Sequence, residues 1–144
     1  MTGIVWRALG ILLIGTAVAV AVNLALTPLY HDGSPTYPVW ELINWFMAAS
    51  TLVLLAAGYL RRRGLAGRDV DILDYLRVTL SYYGAIALAM LFFWGWFWTL
   101  NPGSESGDAV TSHAVYFPLV DALFVLLALA VGRRLWAEGG TDVG

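Results

Sequence analysis

The sequence predicts an all-α integral membrane protein of four transmembrane helices, folded as two antiparallel hairpins with both termini cytoplasmic (N-in, C-in). Three observations carry that expectation. First, the chain of 144 residues is 60% hydrophobic and only 12% charged, where a soluble domain averages roughly 25% charged. Its mean hydropathy is +0.73. Second, residues 8–26, 42–60 and 78–100 contain no charged side chain, and residues 114–132 contain one, Asp121. About 20 apolar residues at 1.5 Å each cover a hydrocarbon layer of about 30 Å. Third, all eight basic residues are arginines, and they stand at one end of each stretch.

The elements follow in order, with helices expected at about 4–27, 38–60, 72–100 and 114–136 in a single membrane domain spanning 1–144. Arg7 stands just ahead of the first uncharged stretch, 8–26, a short basic flank that also suits a signal peptide. The apolar run is longer than the core of such a peptide, so an uncleaved helix is expected. Pro28 and Pro102 should stop the first and third helices, and Pro38 and Pro118 should open the second and fourth. A proline at the first helical position loses nothing, because its missing N–H would have no partner there. Asp71 is placed to cap the third helix, with Asp74 in its first turn.

Orientation rests on arginine. Arg61, Arg62, Arg63, Arg68 and Arg77 lie in or beside the second connection, and Arg133 and Arg134 follow the fourth stretch. Connections 27–41 and 101–113 hold neither Arg nor Lys. The positive-inside rule then predicts a multi-pass protein of the inner (cytoplasmic) membrane with both ends in the cytoplasm. Trp6 and Trp136 fall at the inner interface of this arrangement, Trp40 and Trp45 at the outer.

The two hairpins, 4–63 and 72–136, share a pattern: Tyr37-Pro38 with Glu41 in one, Phe117-Pro118 with Asp121 in the other. A duplicated hairpin would produce it; chance similarity of two hydrophobic hairpins is the competing explanation. Small or polar stripes (Gly15, Ala19 and Asn23; Glu41, Asn44, Ala48, Thr51 and Gly58; Ser81, Ala85 and Ala89) mark expected helix–helix contacts.

Chemistry-bearing residues are few. With no cysteine, disulfides, thiolate metal sites and iron–sulfur clusters are excluded. A phosphate-binding glycine loop, a zinc-protease HExxH and a nucleophile elbow are all missing. His31, Asp32 and His113 have the ligand chemistry of an external copper or zinc site but no recognisable spacing. Glu41, Asn44 and Asp121 are the intramembrane polar candidates, the two carboxylates lying near helix starts where the helix dipole favours them. The run Phe92-Phe93-Trp94-Gly95-Trp96-Phe97-Trp98 is a candidate partner or lipid contact. At about 100° per residue its rings cannot share one face. Arg61-Arg62-Arg63 reads as a topogenic anchor against anionic headgroups, not a nucleic-acid site.

The functional expectation is a non-catalytic accessory subunit of a larger integral-membrane complex, of the respiratory oxidase or membrane monooxygenase type. It would pack through its helix faces and aromatic third helix. Abundant packing surface and sparse chemistry point that way. The alternative is a small oligomeric transporter or channel using Glu41 and Asp121, and after it an external metal site on the histidines. Expected partners are the lipid bilayer and larger membrane subunits, with self-association as a further option.

Overall fold

The computed structural model describes residues 3–32, 37–101 and 115–141. These form four helices: α1 (Gly3–Tyr30), α2 (Pro38–Leu65), α3 (Ile72–Thr99) and α4 (Phe117–Thr141). Three of them, α1 to α3, are long and apolar enough to cross a membrane. The fourth carries Asp121, Arg133, Arg134 and Glu138 within its 25 residues, so its apolarity alone does not mark it as a span.

Helix ends differ from the sequence expectation for local reasons. Pro28 does not stop α1; the helix runs on to Tyr30, and His31 N–H still reaches the Thr27 carbonyl at 3.0 Å. A proline so near the end costs little, because only the last turn lacks its partner. Past Leu60, α2 continues through all three arginines to Leu65, and Gly67, at φ 76°, reverses the chain. Positive φ is the conformation that glycine adopts without steric cost. Asp71 does stand before α3, but its side chain caps nothing; its carbonyl accepts from Tyr75 N–H, and Asp74 pairs with Arg77 instead. Pro38 is the first residue of α2, whereas Pro118 is the second of α4, behind a wider π-type turn at 115–116. The two prolines of the suggested repeat thus stand differently.

Every chain-adjacent helix pair is antiparallel, as the facing residues show. Thr16 meets Ser50 while Thr27 meets Trp40 across α1 and α2. Gly84 faces Leu127 and Gly95 faces Tyr116 across α3 and α4. The two expected hairpins are not the tightest units, however. The most extensive contact joins α1 to α4, and the next joins α2 to α3.

Glycine explains the first of these. Gly3 lies opposite Gly139 and Gly10 opposite Gly132, so each step of seven residues in α1 matches seven in α4. A Cβ on Gly10 would sit 2.9 Å from the Gly132 carbonyl oxygen and 2.9 Å from the Trp136 nitrogen. One on Gly139 would sit 2.5 Å from the Gly3 carbonyl oxygen. With no side chains between them, the two backbones touch, and dispersion contacts that small residues permit do the packing. In the α2–α3 contact the equivalent fit is looser, with Gly58 against the Tyr82 ring at 3.1 Å.

Leu13, Ala17 and Val20 of α1, Met47 and Leu54 of α2, Leu88 of α3, and Phe124 and Ala128 of α4 are all buried at the centre. Gly15 and Ala19 face outward, and nothing lies within 4 Å of where a Gly15 Cβ would be. That half of the expected α1 stripe therefore makes no contact within the chain, whereas Asn23 is buried.

The glycine contact sets a prediction. Gly10→Val or Gly132→Val should destabilise the chain by about 1–3 kcal/mol in detergent unfolding, the usual cost of overpacking. Gly15→Ala and Gly64→Ala, which meet open space within helices, should instead stabilise by up to about 1 kcal/mol, the gain in helix propensity of alanine over glycine. Equal effects from both sets would contradict the close α1–α4 approach.

Candidate functional site

The aromatic run is divided by the helix into an inner and an outer set. Phe92 and Trp96, one turn apart, are buried in the core at 5% and 6% exposure. Trp94, Phe97 and Trp98 stand outward at 60%, 59% and 53%. Phe93 lies between, half-buried, 6.1 Å from Trp96 and 5.7 Å from Phe97. Of the six rings the sequence nominated for external contact, Phe92 and Trp96 are thus occupied inside the chain. Their burial is a consequence of four-residue spacing, which keeps both on the face that meets α2 and α4.

The inner rings build a joint at the end of the bundle remote from the arginines. Trp45 meets Trp96 edge-on at 4.8 Å between centroids. Gly95 leaves room for the Tyr116 ring, whose Cε1 would be 2.7 Å from a Cβ there, and the Tyr116 hydroxyl donates to the Leu91 carbonyl. The tyrosine thereby ties the start of α4 to α3. Nearby, the Trp40 indole N–H donates to the Thr27 hydroxyl at 3.1 Å, and Thr27 donates to the Asn23 carbonyl at 2.6 Å. The Tyr30 hydroxyl donates to Asn23 Oδ1 at 2.8 Å. This network fastens α2 to α1. Sequence reasoning marked Asn23 as a packing residue but had no means of pairing it with Tyr30, two turns on, or Thr27 with Trp40 across the loop.

The two carboxylates are separated in character. Glu41, in the first turn of α2, is exposed. Asp121 lies beyond the first turn of α4 and is buried, at 6% exposure. No hydrogen bond or ion pair reaches its carboxylate among the described residues. They share neither environment nor a bond: Glu41 is exposed in the first turn of its helix, and Asp121 is buried past the first turn of its own. Asn44 is half-buried on α2. Deeper in the bundle, Ser50 donates to the Thr16 hydroxyl at 3.3 Å, joining α1 and α2 at mid-length. Asn23 Nδ2, Thr51 Oγ1 and Thr79 Oγ1 are buried without a partner among the described residues.

Of the metal candidates, His113 lies outside the described residues. His31 is stacked on the Tyr37 ring at 4.0 Å, and Asp32 is exposed. Among the described residues no three His, Asp or Glu side chains gather as a metal site would need.

At the opposite end the arginines are not uniform. Arg62 lies over the Tyr82 and Tyr83 rings at 5.3 and 4.8 Å, and Arg7 over Trp136 at 5.9 Å; cations are held there by the ring quadrupole. Arg61 pairs with Glu138 of α4. Arg63 and Arg133 point into the surroundings. The Arg61–Glu138 pair, 77 residues apart, had no sequence signal. The glycine steps of seven in the first and last helices, Gly3 to Gly10 and Gly132 to Gly139, are the sequence signal for the α1–α4 contact.

Comparison with protein-family models, curated proteins and solved structures yields no match. The class is therefore defined by fold and surface alone: among the described residues, four helices of which three are membrane-compatible, an outward aromatic face and one buried carboxylate.

Asp121 gives a direct test. A buried charge without a partner is unfavourable, so Asp121→Asn should fold as stably as the parent or more so, within about 1 kcal/mol on the losing side. Detergent unfolding of the two proteins measures it. A loss of several kcal/mol would mean that the carboxylate holds a structural contact.

Proposed function

We propose that the chain is a four-span protein of the inner (cytoplasmic) membrane, with N and C termini in the cytoplasm, serving as a non-catalytic accessory subunit of a larger integral-membrane complex. The observation that carries the reading is the outward aromatic set Trp94, Phe97 and Trp98 on a helix whose most apolar stretch is only 22% buried within the chain. Large flat rings supply much contact area for little entropy, and they are enriched where one protein meets another. A shallow apolar groove of about 320 Å³ between α1 and α2, floored by Gly15 and Ala19, supports the same reading. Small residues facing outward suit the close approach of a further helix. Tyr116 and Trp45 brace the root of the aromatic face, so the rings are presented on a rigid support.

The membrane reading draws on α1 to α3 and on the arginine distribution. The fourth helix joins them through the glycine contact with α1, which sets it parallel to the same axis. Asp121 is then turned into the bundle and away from lipid, as an intramembrane carboxylate should be. That burial is also the one observation favouring the second reading, a small oligomeric transporter. The second reading lacks the supporting pair, since Glu41 is exposed.

Two measurements test the proposal. A reporter enzyme fused after Arg134 should report the cytoplasm; periplasmic activity would overturn the orientation. Pull-down of the tagged chain in mild detergent should recover larger membrane subunits in fixed ratio. Changing Trp94, Phe97 and Trp98 together to Leu should reduce that recovery about tenfold or more while leaving the chain in the membrane, since interface aromatics often contribute at least 2 kcal/mol each. A small homo-oligomer without other subunits would overturn the accessory role.

A further inference from the structure

The arginine-bearing end of the bundle contains a cavity of about 370 Å³ walled by all four helices. Trp6 contributes from α1, Arg61 from α2, Val78 from α3, Arg134 and Leu135 from α4, and Arg68 from the α2–α3 connection. Three arginines thus border one space, and Glu138 beside them is engaged by Arg61. Neither Arg68 nor Arg134 has an ion pair among the described residues. The remaining wall is apolar, formed by residues such as Ala57, Val131 and Leu135.

Arginines beside a largely apolar wall match one chemistry: an anion attached to an apolar body. Arg134 is also partly withdrawn from water. The volume falls in the range of small-ligand sites, about 300–1,000 Å³, and is ample for a phosphodiester with its glycerol.

We propose that the cavity formed by Arg61, Arg68 and Arg134 binds the phosphodiester headgroup of an anionic phospholipid, with the glycerol end of the lipid lying along the apolar wall. The proposal rests on the membrane reading above and adds to it a discrete site. General attraction of arginines to an anionic leaflet would involve Arg63 and Arg133 equally, and both lie outside the cavity. A site distinguishes the two sets.

The test uses the full chain, extracted in mild detergent and examined by native mass spectrometry and thermal unfolding. Phosphatidylglycerol, phosphatidylcholine and inorganic phosphate serve as probes. Phosphatidylglycerol should be retained and should raise the unfolding temperature, and phosphatidylcholine should do neither. Arg68→Gln with Arg134→Gln should weaken phosphatidylglycerol binding about tenfold or more, as expected for two cationic contacts at a membrane surface. Arg63→Gln with Arg133→Gln, which removes the same charge, should leave it unchanged. Equal losses in both double variants, or equal effects of the two lipids, would overturn the site. Inorganic phosphate acting as strongly as phosphatidylglycerol would assign the cavity to a soluble anion and overturn the lipid assignment. Should the Arg134 variant fail to fold, Arg68→Gln alone, on the connection, still reads the site. Carbonate extraction of native membranes separates the two levels. A chain that stays in the membrane without preferring phosphatidylglycerol removes this inference only; a chain that is released removes both.

Discussion

Close backbone contact between α1 and α4 organises the molecule. Where Gly10 meets Gly132 and Gly3 meets Gly139, there is no room for even a methyl group. On the proposed membrane reading the hydrophobic effect would give the helices little reason to associate, and contact area with a few hydrogen bonds would hold them. A glycine seam maximises the first. It also draws the most charged helix against the most apolar one, and it brings the chain's two ends together. The remaining helices pack on this pair through bulkier surfaces, with Tyr82 over Gly58 and Leu127 over Gly84.

From that seam the two ends of the bundle acquire different characters. At one end, aromatic and amide groups interlock: Trp40 on Thr27, Tyr30 on Asn23, Tyr116 on the Leu91 carbonyl. The rings of α3 that are not consumed there face outward. At the other end, the arginines partition among tyrosine and tryptophan faces, one glutamate, and an open cavity. Identical side chains therefore have different duties according to what the tertiary contacts leave unsatisfied. Arg62 is held by two rings, whereas Arg134 is partly buried with no ion pair among the described residues.

Much of the fold was legible because a membrane-compatible helix writes its length directly in the sequence. Long uncharged runs located α1, α2 and α3, and the helix starts at Pro38 and Ile72 fell where Tyr37-Pro38 and Asp71 suggested. The C-terminal ends were less legible. Arg61, Arg62 and Arg63 end the apolar run but not the helix, since arginine is a good helix former. Pro28 stands inside the last turn of α1 and not beyond it, since a proline removes one bond to the turn before it without forbidding the next few residues to stay helical. The candidate surface was half legible: the run of rings was plain, but which would be buried followed from how α3 turns toward α2 and α4.

The sequence by itself pointed to four helical segments, each expected to span a membrane, with arginines at one end of each; in the structure three of the four are long and apolar enough to do so. These properties depend on local composition and on rise per residue, both of which are additive along the chain. Tertiary structure decided which helices would be nearest neighbours, that Asp121 would be buried while Glu41 stayed exposed, and that Trp96 would turn inward while Trp94 turned out. It also decided that Arg61, Arg68 and Arg134 would border one cavity. Such outcomes depend on helix rotation and register, set by the glycine seam and by ring packing between residues far apart in the chain, and no periodicity within one helix specifies them.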